Sequence, residues 1–342
     1  MAFSFSELAV PVVGAPMAGG PSTPALAAAV SDAGGLGFLA GGYRTPDQLA
    51  DDITSARAQT AGPIGVNLFV PQPSDADLVL LDEYAELLAP LADHYGVDLG
   101  QPRFGDDDCW PEKLDVVADL RPTVVSFTFG TPQPEDLERL RDLRILTVVT
   151  VTSTYEAGIA LAHGADALVV QGPDAGGHRG TFAPDVLPGS TPLHQLLAEI
   201  GHVHGEVPLV AAGGLSTAAA VRGVLDRGAV AAQVGTALLL ADEAGTNPVH
   251  RAALTNPEFG ATIVTCAFSG RYARSLENEF TRTLADLAPV GYPEINHLTG
   301  PIRAAAVADG DPHGTSLWAG TGFRDIRPGP VAEIIAALIG DS

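Results

Sequence analysis

The chain has 342 residues, of which 46% are hydrophobic, so it is long enough to bury one large core or two ordinary ones. Its formal net charge of −23 opposes binding to nucleic acid phosphates or to an anionic membrane surface, and small molecules are the expected partners. Of the 18 lysine and arginine residues only Lys113 is a lysine, which excludes most lysine-based chemistry. The two cysteines, Cys109 and Cys266, cannot build a disulfide framework, and no Cys or His spacing suggests a metal site.

The first residues, MAFSFSELAVPVV, contain no basic leader followed by a long apolar segment. No later apolar run has the length needed to cross a bilayer. We therefore expect a cytoplasmic protein that does not contact a membrane. The sequence alone leaves the oligomeric state open.

Apolar runs alternate with helical patterns along the first 255 residues. The first unit contains the run VPVVGAPM at 10–17, and a helix is expected to start at Thr23 and Pro24. Counting gives eight such runs, at 10–17, 36–40, 64–69, 124–129, 145–151, 167–171, 208–214 and 230–236. They are continuously apolar, as in a parallel sheet buried on both faces. The sequence therefore predicts an α/β fold, a (β/α)8 TIM barrel, with a doubly wound open sheet as the competing architecture.

Two segments do not follow this alternation of apolar runs and helical patterns. The first, at about 74–120, combines an acidic helix at 74–96 with an irregular stretch around the aspartates 106–108. We interpret it as an insertion after strand 3 with a solvated loop, and a weak cation site is the alternative. The second, 256–342, is expected to pack on the barrel formed by 1–255 and to cover the active site at its mouth. Its elements are an apolar run, a helical pattern and an amphipathic helix, at 262–268, 276–287 and 331–339.

One loop, within ADALVVQGPDAGGHRGTF at 165–182, combines glycines with a titratable side chain. The preceding strand ends at Gln171, and the glycines that follow allow the main chain to approach a flat ligand. His178 is the loop's only side chain that ordinarily titrates near neutral pH, so it can donate or accept a proton. We therefore take His178 as the catalytic candidate, and a histidine that merely pins the loop is the alternative.

Glycines also end the seventh and eighth strands. Gly213 and Gly214 precede a helix start, while Gly235 and Thr236 end the eighth strand. In a TIM barrel the C-terminal strand ends form the active face, and the loops after strands seven and eight often hold a phosphate. Main-chain N–H groups at both places predict a phosphate site that needs no lysine, and ordinary tight turns are the alternative.

The other strand ends carry amides, hydroxyls and exposed main chain at the same rim. These residues are Ala15, Pro16, Met17, Asn67, Ser126 and Gln171. Such a mixture of hydrogen-bonding groups and apolar surface suits a flat ring of the isoalloxazine type. The sequence thus predicts a ring and a phosphate on one face of the barrel.

These motifs resemble the nitronate monooxygenase family, formerly called 2-nitropropane dioxygenases. The resemblance rests on APMAGG at 15–20, GVNLF at 65–69, QGPDAGGHRGTF at 171–182, AAGGL at 211–215, QVGT at 233–236 and SLWAG at 316–320. AGGHRG is the most specific of these, whereas AAGG and GVNLF also occur in flavin-dependent enoyl reductases. The resemblance implies a barrel that holds non-covalent FMN and oxidises alkyl nitronates, such as propionate 3-nitronate, with O2 to carbonyl compounds and nitrite.

The resemblance also implies roles for individual residues. His178 falls on the family's catalytic histidine, which hydrogen-bonds the nitronate and takes the α-proton of neutral nitroalkanes. Tyr292 and Trp318 are expected to line the substrate pocket. Some relatives have a lysine in the mouth region that this chain lacks, so positive charge is expected from His178, Arg179 or Arg303. The residues implied to contact FMN are Ala15, Pro16, Met17, Asn67, Gln171, Gly176, Gly177, Gly213, Gly214, Gln233, Gly235 and Thr236.

Two other functions are compatible with the sequence. One is an FMN-dependent reductase that transfers a hydride from NAD(P)H to an enoyl or quinone acceptor on the same scaffold. The other is a catalytically idle barrel that serves as a binding protein. Flavin reduction by NADH without oxygen would indicate the first, and a protein unable to take up FMN would indicate the second.

Overall fold

The computed structural model describes residues 3–73 and 76–340. Within these residues the β-strands are β1 Val12–Gly14, β2 Gly37–Ala40, β3 Ile64–Phe69, β4 Val124–Thr128, β5 Leu146–Val151, β6 Ala167–Gln171, β7 Gly177–His178, β8 Leu209–Ala212, β9 Ala231–Val234, β10 Thr262–Thr265 and β11 Ala273–Leu276. The α-helices are α1 Pro24–Asp32, α2 Pro46–Gln59, α3 Leu78–Tyr95, α4 Trp110–Leu120, α5 Pro134–Asp142, α6 Thr154–His163, α7 Leu193–His204, α8 Ala218–Leu225, α9 Pro248–Thr255, α10 Glu279–Leu284, α11 Glu294–Asp309 and α12 Val331–Ile339.

Eight parallel strands form a TIM barrel with helices packed outside. Their order is β1-β9-β8-β6-β5-β4-β3-β2, and a parallel bridge from Val13 to Leu36 brings β1 beside β2. The two ends of the sheet therefore meet, which an open doubly wound sheet does not allow. The predicted (β/α)8 barrel is confirmed, with each of the eight apolar runs contributing one strand.

Alternate residues of the barrel strands face opposite sides of the sheet. Val125 and Val149 pack against the outer helices in the largest core cluster. Their neighbours Val124 and Val148 belong to a separate cluster inside the barrel, which also includes Phe5 from a short 3-10 helix before β1. Burial on both faces explains why the strands are continuous apolar runs rather than alternating ones.

The insertion between β3 and β4 contains two helices with different neighbours. α3 packs against α11, and the Tyr84 hydroxyl donates a 2.7 Å hydrogen bond to the Ala267 carbonyl. α4 instead packs against α2 and β3, in the position of the third barrel helix. The helix expected at 74–96 begins at Leu78 with Asp77 as its cap, and residues 74 and 75 lie outside the described part.

The C-terminal segment packs in two places. α10 and α11 join α3 in a cluster that contains Phe268 and Phe280. α12 packs against α1 and α8, where it takes the position of the eighth barrel helix. The helical pattern at 276–287 was wrong at its start, because Leu276 pairs with Thr262 in the β10–β11 hairpin. Asn278 then caps the short helix α10.

Across the residues that the structure describes, the helices are too short or too polar to traverse a bilayer.

Gly37 is a point of close contact between β2 and α1. A Cβ added there would lie 1.9 Å from the Ala27 carbonyl oxygen. Because two packed backbones would have to separate, we expect Gly37→Ala to lower the free energy of unfolding by about 1–3 kcal/mol. Gly201→Ala, in α7 with open space around its Cβ, is the matched control and should raise stability by about 0.5–1 kcal/mol. Denaturant titration measures both, and equal midpoints would contradict this account of Gly37.

Candidate active site

A cavity of about 550 Å³ lies at the C-terminal ends of the barrel strands. Each residue that the resemblance connects with FMN lines it, as do His178 and Trp318. Tyr292 is not among the lining residues, although its ring packs against His178. The lining within the described chain includes no aspartate or glutamate, and Arg303 is its one arginine or lysine.

The loop that carries His178 is held as an extra strand. β7 pairs antiparallel with β11, which places His178 opposite Ala273. The Gln171 side chain hydrogen-bonds two main-chain groups of the loop. Its Nε2 donates to the His178 carbonyl at 3.1 Å, and its Oε1 accepts from the Gly180 N–H at 2.9 Å. Both ends of this amide are therefore engaged in fixing the loop.

Arg179 also holds this loop in place. Its side chain is 2% exposed and donates to the carbonyls of Gly172 and Gln171, while its main-chain N–H donates to the Tyr272 carbonyl at 2.8 Å. Arg179 does not line the cavity. Of the two arginines expected to supply charge there, the structure brings only Arg303 to the cavity wall.

Arg303 is held in a defined orientation on α11. Its Nε donates to Thr299 Oγ1 at 3.1 Å, and its Nη2 donates to the Asn296 carbonyl at 2.9 Å and to Asn296 Oδ1 at 2.8 Å. Burial lowers the pKa of Arg303, and the nearby Tyr43 and Tyr292 act in the opposite direction. An oriented guanidinium without an acidic neighbour in the cavity wall favours an anionic ligand.

Aromatic rings surround the imidazole of His178. The ring centroids of Phe129, Tyr292 and Trp318 lie 5.7, 5.7 and 5.4 Å from it. The Tyr292 hydroxyl donates a 3.1 Å hydrogen bond to the Tyr43 hydroxyl, which helps to hold the Tyr292 ring in place. These contacts restrict the imidazole to one orientation.

A serine links the imidazole to the main chain. His178 Nε2 lies 2.8 Å from Ser269 Oγ, and that hydroxyl donates to the Arg271 carbonyl at 3.2 Å. A hydroxyl has one proton, so with that proton on the carbonyl it can only accept from Nε2. This arrangement assigns the imidazole proton to Nε2. Nδ1, for which the described residues offer no partner, is left with its lone pair free.

The imidazole is neutral at pH 7. Burial, followed by the positive charges of Arg271 and Arg303, lowers the pKa of His178 to about 3. A neutral ring with a free lone pair is a proton acceptor, so the geometry allows His178 to act as a base.

Gly213 and Gly214 form a tight turn at the cavity wall. Their φ angles are +110° and +72°, and a Cβ at Gly214 would lie 2.9 Å from Asp174 Cβ. The main-chain N–H groups of Gly213, Gly214 and Gly235 make no hydrogen bond to the described residues. Free N–H donors in the turns after β8 and after β9 match the needs of a phosphate.

The C-terminal segment closes over this turn. The Gly320 N–H donates to Thr236 Oγ1 at 2.9 Å, and a Cβ at Gly176 would lie 2.5 Å from the Gly320 nitrogen. A Cβ at Gly322 would likewise lie 2.6 Å from Ser216 Oγ. The SLWAG motif therefore lies against the His178 loop and the turn after β9, and Gly322, just beyond it, lies against the turn after β8.

Hydrogen bonds orient Asn67 and the loop after β1, both of which line the cavity. Asn67 Nδ2 donates to Ser126 Oγ at 2.9 Å and to Thr128 Oγ1 at 3.0 Å, which leaves Oδ1 as its available acceptor. The Met17 N–H donates to Ser22 Oγ at 2.8 Å and fixes the loop after β1. Ser126 supports Asn67 rather than lining the cavity itself.

The aspartates at 106–108 make contacts outside the cavity. Asp106 pairs with Arg103 at 2.7 Å and with His297 at 3.0 Å, and Asp108 pairs with the buried Lys113 at 2.7 Å. Among the described residues no cluster of three or more potential ligands for a metal ion occurs. Asp106 and Asp108 are therefore engaged by basic side chains of the protein.

Comparisons with known proteins place the chain in a family. The family model for nitronate monooxygenase matches residues 4–341. The chain is 37% identical over 344 positions to a nitronate monooxygenase of Pseudomonas aeruginosa, covering 96% of this chain and 95% of that protein. The chain belongs to the nitronate monooxygenase family.

Solved structures support the same placement and confirm the barrel. Nitroalkane oxidase from Streptomyces ansochromogenes is similar with a TM-score of 0.92 and 45% identity, covering 97% of this chain and 95% of that chain. FabK from Thermotoga maritima is similar with a TM-score of 0.74 and 26% identity, covering 98% and 93%. The resemblance seen in the sequence is thus confirmed at the level of the family and the fold.

The sequence motifs did not reveal several residues around His178. Phe129, Ser269 and Arg271 all lie in its surroundings, and His250 on α9 lines the cavity. Ser269 and Arg271 form the sequence SGR immediately after the apolar run at 262–268. A polar turn directly after a buried apolar run is the signal in the sequence that points to these two residues. The turn is far from His178 along the chain, so the sequence did not predict their contact.

His250 makes stability depend on pH. Its side chain is 5% exposed, and burial lowers its pKa to about 4, against a smaller opposing effect of the Trp318 main chain. Between about pH 6.5 and pH 4 the unfolded state binds this proton and the folded state does not. Stability should therefore be complete above about pH 6.5 and fall on acidification, by at most about 1.4 kcal/mol per pH unit for this residue.

His250→Gln removes that proton difference and should reduce the slope of the unfolding free energy between pH 6.5 and 4 by up to about 1.4 kcal/mol per pH unit, while His178 still contributes to the slope. His202→Gln, at an exposed position on α7, is the matched control and should keep the original slope. Urea titrations at several pH values give the slopes. A His250→Gln slope equal to that of the control would show that His250 does not contribute.

Proposed function

We propose that the protein is an FMN-dependent nitronate monooxygenase that oxidises alkyl nitronates with O2 to carbonyl compounds and nitrite. The observation that carries this proposal is a neutral His178 at the wall of a cavity that also contains free N–H donors and no acid. Residues 1–255 would hold the cofactor, and 256–342 would cover it. Alkyl nitronates, propionate 3-nitronate among them, and neutral nitroalkanes are the proposed substrates.

FMN fits the residues that line the cavity. The N–H groups of Gly213, Gly214 and Gly235 would hold its phosphate, and side chains at those glycines would crowd the turn. The loop after β1 and Asn67 Oδ1 would contact its ring. Gln233 and Thr236 line the same wall, with Gly176 and Gly177 close by in the loop. When bound, FMN would accept electrons from the substrate and pass them to O2.

His178 has a defined task in this proposal. Its Nδ1 lone pair accepts the α-proton of a neutral nitroalkane, which leaves an imidazolium beside a nitronate anion. The anion compensates the charge that burial and the arginines disfavour, so the proton is stable at Nδ1 only while the anion is bound. That N–H then hydrogen-bonds the nitronate and holds it in place.

The electrostatics of the cavity select the same class of substrate. Arg303 supplies a positive charge in a wall that lacks carboxylates, although the chain as a whole carries a net charge of −23. Trp318 and Phe129 add apolar surface beside His178. A small anion with an alkyl group is the ligand that this combination favours.

A visible spectrum and an oxygen electrode test the proposed function. We expect the purified protein to bind FMN and to consume O2 when propyl-1-nitronate is added, with release of nitrite. Without oxygen, the nitronate should bleach the flavin rapidly and NADH should not. Rapid bleaching by NADH alone would identify the protein as a reductase, and a protein that takes up no FMN would contradict both enzymes.

Replacement of His178 tests the proposed base. His178→Asn should retain FMN, because no observed contact to the phosphate turn is lost, but should slow oxidation of neutral nitroethane by about 10²–10⁴-fold. Ethyl nitronate, which needs no deprotonation, should be affected less. His202→Asn is the control. If His178→Asn oxidised nitroethane at the original rate, the base would have to lie elsewhere.

A further inference from the structure

Arg271 is a buried cation that forms no ion pair with the residues that the structure describes. Its side chain is 0% exposed in the turn between β10 and β11. Nη2 donates to the Thr181 carbonyl, whereas Nε and Nη1 have no hydrogen bond partner in the described part of the chain. Burying a cation without a carboxylate is costly, so such a residue is expected to have a specific role.

Glu156, the carboxylate that acts on Arg271 through space, is already engaged by other donors. Glu156 is 7% exposed, and its oxygens accept from the Thr152 N–H and hydroxyl and from the Phe182 N–H, at 2.6, 2.7 and 2.9 Å. Glu156 influences Arg271 through space but forms no ion pair with it. The positive charge of Arg271 is therefore not neutralised by direct contact.

Arg271 contacts the surroundings of His178 in two ways. Its guanidinium carbon lies 4.0 Å from the centroid of the Phe129 ring, and that ring packs at 5.7 Å against His178. Its carbonyl accepts the Ser269 hydroxyl proton, and Ser269 contacts His178 Nε2. The guanidinium and the imidazole are thus within about 10 Å, close enough for like charges to interact in a medium of low polarity.

We propose that Arg271 is a positioning residue that keeps His178 neutral and places its proton on Nε2. The guanidinium acts through its charge, because an imidazolium nearby would be a second buried cation. The carbonyl acts through Ser269, whose oxygen is left to accept from Nε2. One residue thereby sets both the charge of the base and the nitrogen that carries its lone pair.

The other groups around His178 do not replace this role. Arg303 on α11 also disfavours the imidazolium, but to a smaller extent than Arg271. Arg274, the neighbour on β11, donates to the Pro173 carbonyl at 2.9 Å and to Thr262 Oγ1 at 2.9 Å. Tyr292 and Tyr43 are held neutral by burial, which raises the pKa of each hydroxyl.

This inference deepens the proposed function and relies on it for one consequence. With Arg271 present, His178 is a free base throughout the neutral pH range and is ready to accept a proton from a nitroalkane. A bound nitronate is stabilised by the same charge that keeps the empty site unprotonated. Arg271 thereby favours the anion over the neutral nitroalkane at the moment of proton transfer.

The first measurement needs no substrate and no change to Arg271. The protein is labelled with ¹⁵N-histidine and saturated with FMN, and the His178 signals are assigned by comparison with His178→Asn. The ¹⁵N chemical shifts then show whether the imidazole is protonated and which nitrogen carries the proton. We expect a neutral ring with the proton on Nε2 from pH 6 to pH 8. A ring that is protonated at pH 6, or that carries its single proton on Nδ1, would overturn the proposal.

The second measurement distinguishes the effect of the positive charge of residue 271 from the effect of the shape of its side chain. Arg271→Met removes the cation, and we expect the titration midpoint of His178 to rise by about one pH unit or more, which is tenfold in its acid dissociation constant. Arg271→Lys retains the cation and should keep the midpoint near that of the unaltered protein. Arg251→Met, which removes an arginine that hydrogen-bonds the carbonyls of residues 239–241, is the matched control.

The outcomes are distinct from those of the nitronate assays. A raised midpoint in Arg271→Met but not in Arg251→Met supports the proposal whatever the substrate proves to be. An unchanged midpoint in a folded Arg271→Met, or equal shifts in Arg271→Met and Arg271→Lys, overturns it. If Arg271→Met does not fold, the position of the proton on His178 in the unaltered protein decides whether the proposal holds. For nitroethane oxidation, the acid limb of the kcat/KM profile should shift upward in step with the titration of His178.

Discussion

The site depends on a short antiparallel pairing between β7 and β11. Only two residues of the barrel loop, Gly177 and His178, take part, opposite Arg274 and Ala273. That pairing joins a loop after β6 to a hairpin almost 100 residues later and brings the SGR turn beside the imidazole. Without it, His178 would be on a glycine-rich loop without Ser269 as the partner for Nε2 and without Arg271 beside it. Residues of both parts of the chain therefore line the same cavity.

The position of α12 explains why this pairing can be maintained. The chain leaves the barrel after β9, forms the hairpin and the helices over the mouth, and then returns so that α12 packs between α8 and α1. The mouth elements are thus anchored at both ends in the barrel wall rather than attached at one end. Gly176 and Gly320 meet so closely that a single added Cβ would separate the two parts. Contacts of this kind help to fix the loop that carries the imidazole.

Local patterns predicted most of the barrel and much of the cavity wall. Buried parallel strands leave continuous apolar runs, and glycine turns such as Gly213 and Gly214 recur where strands meet helices, so both could be recognised within a few residues. Ser269 and Arg271 could not, because their roles arise from a pairing between distant segments that no local period encodes. Leu276 was assigned to a helix for the same reason: its strand exists only because β10 lies beside it. Arg179 had the right charge for the cavity, but the carbonyls of its own loop bind its guanidinium.

The balance of charge inside the site differs from that of the whole chain. The chain carries a net charge of −23, yet Arg271 and Arg179 are buried near the His178 loop, Arg303 lines the cavity, and the described residues place no aspartate or glutamate in its wall. Each buried guanidinium costs folding free energy that apolar side chains would not, so a purely structural explanation would predict their replacement by leucine or methionine. Arg179 offsets its cost by binding two carbonyls of the loop, but Arg271 leaves two of its nitrogens without partners. If the proposed nitronate binds in the cavity, its negative charge would offset part of the cost of burying Arg271. On the proposed function, the uncompensated charge of Arg271 would therefore cost stability in the empty protein and favour binding of the anionic substrate.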